Sequence, residues 1–230
     1  MLVNHILETF KCSLITIWFY DGVLPSTALE FMKMVNQRQL RIKSFYCHIK
    51  SESSELIPRI LDECSEVTDS ILVSAAVPDD FMYTPSRPFK AKAIDVRFRT
   101  NWLKLDSCMS CRNASVELGE NSNRTTEIYN SFFTKWMDSD AQLQSLMLSS
   151  IEKHEYQMIM NALSNQGTKR AINEYWFEIK RKDESEFFIF TFNRYIRIYT
   201  KQAYLENLGV DEENALTRNV ATNLQVQEPR

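Results

Sequence analysis

The feature that most limits what this chain can fold into is a helical pattern that returns along it. Val3, Ile6, Leu7 and Phe10 stand at i, i+3, i+4 and i+7, the apolar stripe of one helix face. The spacing recurs at Ala28, Phe31, Met32, Val35, at Ile57, Ile60, Leu61, Cys64, and at Tyr156, Ile159, Met160, Leu163. Looser versions are Trp102, Leu105, Met109 and Ile128, Phe132, Trp136. Starts at residues 3, 28, 57, 102, 128 and 156 give steps of 25, 29, 45, 26 and 28 residues. Each helix is followed by an apolar-x-apolar triplet suited to a strand. The triplets are Ile17-Trp18-Phe19, Leu40-Arg41-Ile42, Ile71-Leu72-Val73, Val116-Glu117-Leu118, Leu146-Met147-Leu148 and Phe177-Glu178-Ile179. Strand side chains alternate faces, so the outer two enter one core and the middle one faces away. The pattern predicts an α/β fold: a leucine-rich-repeat-like solenoid of helix–strand units with a parallel sheet.

Leu143-x-x-Leu146-x-Leu148 matches the front of a leucine-rich repeat, with Ile151 where Asn or Cys is usual, and Val116-x-Leu118-x-x-Asn121 matches its later part. Thr27 and Glu30, after Pro25, form a capping box for the second helix. Pro58 places the start of the third helix close to itself. Asn165-Gln166-Gly167 closes the helix begun near His154. The long step holds an insertion at 74–99, with Pro78, Pro85 and Pro88, ending in a strand around Ile94–Phe98. Beyond the sixth unit, the aromatic and β-branched runs Tyr175–Ile179, Phe187–Phe192 and Tyr195–Tyr199 predict an antiparallel meander covering the last sheet edge. The domain reading is one repeat-like domain over 1–200 and a C-terminal extension over 201–230, disordered over 211–230.

Site chemistry is sparse. Formal charge is −3, too near neutral for bulk nucleic-acid binding, and the four glycines lie too far apart to cradle a phosphate. No run approaches the roughly 20 apolar residues of a membrane span. The N-terminus lacks the basic start and apolar block of a signal peptide, so the expected location is intracellular, cytoplasmic or nuclear. Cys108-Met109-Ser110-Cys111 is a CxxC without a second pair, and His5, His48 and His154 are scattered. A structural role for both cysteines is preferred to metal or redox use. No nucleophile, base and orienter can be named together, so no catalytic residue, cofactor or metal is expected and the chain reads as a non-enzyme. Lys180, Arg181, Lys182, Arg194, Arg197 and Lys201 make the meander at 174–201 basic and aromatic, as in single-stranded RNA platforms. Asp183, Glu184 and Glu186 interrupt that run and favour a solvated turn, so nucleic acid is the alternative partner only.

Two segments carry a family resemblance. Cys111-Arg112-Asn113-Ala114-Ser115-Val116-Glu117-Leu118 is followed by a polar loop and by Asn130-Ser131-Phe132-Phe133-Thr134-Lys135-Trp136-Met137. Leu143–Leu148 follows as a strand, and Ile179–Glu184 echoes a later turn in which Glu184 stands at a glycine position, implying a different turn geometry. This resembles the type-2 F-box-associated domain of nematode F-box proteins, most specifically over 108–185. The resemblance implies a protein-binding module that holds the target of a cullin-type ubiquitin ligase. Cys111, Leu118, Asn130, Phe132 and Trp136 would be its packing residues. A Skp-like adaptor is implied only for a longer form carrying an F-box, since the sequence begins directly at a repeat helix. The target protein is not named by the sequence.

Alternation also predicts a binding face. Middle residues and those two before them share the side away from the helices: Thr16 and Trp18, Gln39 and Arg41, Ser70 and Leu72, Ser115 and Glu117, Ser145 and Met147, Trp176 and Glu178. The expected partner-binding row is Trp18, Arg41, Leu72, Glu117, Met147 and Glu178.

Overall fold

A computed structural model describes residues 14–208, apart from 50–55, 76, 78–80, 99 and 120–121. The predicted first helix, with His5 and Cys12, and the predicted tail at 211–230 lie outside the described residues. The fold is α/β, built on one ten-stranded sheet. Its strands are β1 (Leu14–Phe19), β2 (Arg41–Ile49), β3 (Ser70–Ala75), β4 (Ala93–Arg97), β5 (Asn113–Glu117), β6 (Ser145–Ser149), β7 (Thr168–Ala171), β8 (Trp176–Lys180), β9 (Glu186–Phe192) and β10 (Tyr195–Thr200). β1 to β6 lie side by side in chain order, and each neighbouring pair is parallel. The rest is an antiparallel meander that runs back: β10 pairs with β6, and β7 forms the far edge. The sixth triplet, in β8, is therefore antiparallel and three strands away from β6.

The connections are α1 (Pro25–Gln37), α2 (Leu56–Asp62), α3 (Thr126–Asp138) and α4 (Lys153–Ser164); α5 (Lys201–Leu208) follows the meander. The buried faces of α1 to α4 join Phe45, Ile71, Val73, Ile94, Val116, Leu146, Leu148, Ile179, Ile189 and Ile198 in one apolar cluster. α1 to α4 and the core thus occupy one side of the sheet, and the outer residues of the triplets enter it; α5 lies on the other side. α3 buries Tyr129, Phe132, Phe133, Trp136 and Met137, while Ile128, expected on that face, is exposed. Polar braces hold the helix layer: Tyr129 donates to the buried Glu155 between α3 and α4, and Arg181 donates to the Met137 carbonyl and Asp138 at the end of α3. No helix among the described residues is long and apolar enough to cross a membrane.

Local expectations differ from the structure at four points. α1 begins at Pro25, whose missing N–H suits the first turn; its N-cap is Leu24, and Thr27 forms no capping box. The fourth helix is replaced by two short 3-10 turns, Thr100–Trp102 and Leu105–Cys108. Between them Leu103 bridges to Tyr83 of the insertion, and the Tyr83 N–H takes the Trp102 carbonyl at 2.7 Å, which an α-helix would need for itself. The expected strand of the insertion is β4, and it takes a full place in the parallel sheet. Glu184 has φ of 67°, so the turn keeps the left-handed conformation a glycine would give it.

Candidate protein-binding face

Strand register turns the second sheet face into continuous rows. Trp18 sits opposite Tyr46, Tyr46 opposite Leu72, Leu72 opposite Asp95, and Asp95 opposite Ser115. The row goes on through Met147, Arg197, Phe190 and Trp176. Nine side chains at a strand spacing near 4.8 Å make a stripe of roughly 38 Å. Trp18, 53% exposed, stacks on Tyr46 with ring centroids 3.9 Å apart, and Tyr20 continues the stack at 6.0 Å. The Tyr46 hydroxyl meets Ser70 Oγ at 3.1 Å, which fixes the ring against the sheet.

Between this stack and α5 lies an open trough of about 690 Å³ whose lining includes Ser70, Ala93, Ser115 and Ser145. α5 stands on the face itself: Tyr204 stacks on Phe188 at 4.0 Å, and Ala203 and Glu206 line the trough. Glu206 takes an Arg112 N–H at 2.5 Å, and Arg112 also donates to Gln144 at 2.6 Å, tying the helix to the sheet. Beyond α5 the aromatic row continues, with Tyr175 and Phe192 exposed.

The six expected partner-binding residues do not form one row. Trp18, Leu72 and Met147 do share the central stripe. Glu117 lies one step along and is engaged, accepting from the Phe98 N–H at 3.4 Å and the Ser150 hydroxyl at 3.2 Å. Arg41 is exposed but pairs with Leu14, four positions along β1 from Trp18, roughly 13 Å away. The cause is an irregularity between Ile15 and Thr16, where the partner position jumps from Ile42 to Ser44; the strand is nine residues long and its central open-face residue is Tyr46. Gln39 is not on the face, since it sits in the preceding turn with φ of 55°. Glu178 is buried at 4% exposure beneath Arg170, whose Nε donates to it at 2.8 Å. Strand β7, which supplies Arg170, was not expected.

The motif residues are packing residues by position. Cys111, Leu118, Phe132 and Trp136 are buried, and Trp136 Nε1 donates to the Leu143 carbonyl at 2.7 Å. Asn130 accepts from Gln166 at 3.1 Å and Asn165 at 3.4 Å, joining α3 to the turn after α4. Both cysteines of the CxxC lie in the core, and burial pushes the Cys111 thiol up to about 11 and Cys108 higher. Among the described residues, no three His, Cys, Asp or Glu side chains are grouped to hold a metal ion.

In the meander, four of the six cations meet carboxylates: Lys180 with Glu184, Arg181 with Asp138, Arg194 with Glu152, and Lys201 with Glu186 at 3.5 Å. Its rings pack on one another, Trp176 on Phe190 at 5.0 Å and on Tyr204 at 5.1 Å. Sequence reasoning missed Tyr46, Asp95, Arg197 and Phe190 as members of the stripe. The alternation of Tyr195–Tyr199 and Phe187–Phe192 held the signal for two of them, but the pairing of β10 with β6 is needed to place them.

No family model matches the chain, no curated protein matches it, and no solved structure matches its fold.

Proposed function

We propose that this chain is a protein-recognition module: a leucine-rich-repeat-like solenoid whose sheet face opposite α1 to α4 holds a partner protein. The carrying observation is the open stripe, with Trp18 half out in solvent on the Tyr46 ring and Leu72 and Met147 farther along it. Aromatic and Met side chains over a floor of small polar groups suit a protein surface. Support for the repeat reading comes from six parallel strands in chain order with α1 to α4 on one side. The proposed role is recognition without chemistry, as in the target-holding domain of an F-box ubiquitin-ligase receptor, working inside the cell. Contact with a Skp-like adaptor is proposed only for a form carrying an F-box.

Proximity labelling in the native cell names the partner, and purified components then test the face. Trp18→Ala with Leu72→Asp abolishes capture of that partner while the thermal midpoint stays near that of the parent. Unchanged capture sinks the proposal. The rival reading, single-stranded RNA on the meander, is weakened by its paired cations. A labelled-RNA shift lost on changing Lys180, Arg181 and Arg194 would revive it.

A further inference from the structure

We infer that the trough takes an acidic peptide segment of the partner, with a carboxylate on Arg197 and apolar side chains on the aromatic stripe to either side. This rests on the reading of the open face as a protein-binding surface. Arg197 is half-buried in the central row, between Met147 and Phe190. It donates to the Tyr199 hydroxyl at 3.0 Å and to Met147 Sδ, a weak acceptor, at 3.5 Å. Its guanidinium also lies 5.7 Å from the Tyr199 ring centre. Among the described residues it meets no carboxylate. Arg97, Arg112, Arg170, Arg181 and Arg194 all do. A guanidinium has five donors in a planar fork that matches a carboxylate, and a half-buried one with only neutral acceptors keeps that capacity free.

The local charge has the same sense. The chain is −3 overall, yet the trough is lined by Lys92, Arg112 and Arg197 against Asp95 and Glu206. Two of those cations are spoken for, Arg112 by Glu206 and Lys92 by Asp69 at 4.0 Å, which leaves Arg197 as the anchor. A nucleic-acid backbone needs a run of cations and would meet Asp95 and Glu206. A peptide needs one well-placed cation and apolar contacts. Phe190 is one strand from Arg197, about 5 Å, and Leu72 is four strands away on the other side, about 19 Å. The expected motif is therefore an Asp or Glu with an apolar residue one or two positions to one side. A second apolar residue lies about six extended positions to the other side, where it reaches Leu72.

The test uses the full chain and a displayed library of random dodecapeptides. Selected peptides are expected to be rich in Asp or Glu beside aromatic or aliphatic residues. In fluorescence anisotropy, Arg197→Gln weakens them by about tenfold or more, the scale of a charge-assisted hydrogen bond. Arg197→Lys retains part of the affinity, and Arg197→Glu prefers peptides whose acidic residue is changed to Lys. Circular dichroism of each variant separates lost binding from lost fold. Peptides lost on Leu72→Asp but without acidic enrichment, and indifferent to Arg197→Gln, overturn the inference while the binding face stands. Peptides indifferent to every change on the face, or a selection that yields none, overturn both. Single-stranded RNA held more tightly than any peptide, and lost on Arg197→Gln, also overturns it.

Discussion

Ile71 and Leu72 are neighbours in β3 that belong to opposite sides of the sheet, so truncating each in turn separates core from open face. Ile71 is 1% exposed, and its register partners Phe45 and Ile94 are buried at 0% and 2%. Ile71→Ala removes branched carbon from a packed layer and is expected to cost about 2–5 kcal/mol. For a domain of this size one kcal/mol moves the midpoint by roughly 2–4 °C, so the melting temperature falls by about 10 °C. Leu72 faces Tyr46 and Asp95 and lines the trough. Leu72→Ala loses only partly buried surface and is expected to stay within about 1 kcal/mol, or roughly 2–4 °C. Scanning calorimetry on the two variants and the parent reads both numbers, and denaturant titration with equal m-values checks that unfolding remains two-state. A drop for Leu72→Ala equal to that of Ile71→Ala would show the second face to be covered, and the recognition account would fail with it.

Other expectations test separate parts of the structure. Burial pushes the Cys47 thiol up to about 12 and Cys111 to about 11, from an ordinary value of 9.0. The folded chain therefore holds these protons longer than the unfolded one. Their contribution to stability is intact below about pH 9 and lost as the pH rises towards 11–12, so the urea midpoint falls between pH 8 and pH 11. Denatured protein should titrate five free thiols, and the purified folded protein should carry no stoichiometric zinc; about one zinc per chain by elemental analysis would contradict the buried CxxC. A Cβ on Gly167 would stand 2.4 Å from the Lys180 carbonyl oxygen, so Gly167→Ala should cost about 1–3 kcal/mol and speed amide exchange in β7; no change in either refutes the close approach. Glu184→Gly relieves a left-handed residue at the loss of an exposed ion pair, and its midpoint should equal or exceed the parent's.

Much of the helix–strand order was legible from apolar spacing, although the same spacing at Trp102, Leu105 and Met109 gives two 3-10 turns and not a helix. α1, α2, α3 and α4 lie where the i, i+3, i+4 pattern stands, and the triplet at Ile71–Val73 points as alternation requires. Four things were not legible. β7 reads Thr-Lys-Arg-Ala and is exposed at every position, so it has no apolar period to detect; it is held by pairing with β8. The phase of β2 is broken at Lys43 and Ser44, which moved the predicted open-face residue from Tyr46 to Arg41. The burial of Glu178 depends on Arg170 across a strand pair, and the stripe beyond Met147 depends on β10 folding back onto β6. The second is a long-range pairing, and the first needs the β7–β8 hairpin, one strand of which has no apolar period to reveal it.

The most direct test of the recognition account is hydroxyl-radical footprinting of the free protein and of its complex with the partner found by proximity labelling. Trp18 and Met147 are expected to react in the free chain and to be protected in the complex, while Met32, buried at 0% in the helix layer, stays silent in both. Protection that falls on the exposed sides of the helices, with Trp18 and Met147 equally reactive in both states, would contradict the account.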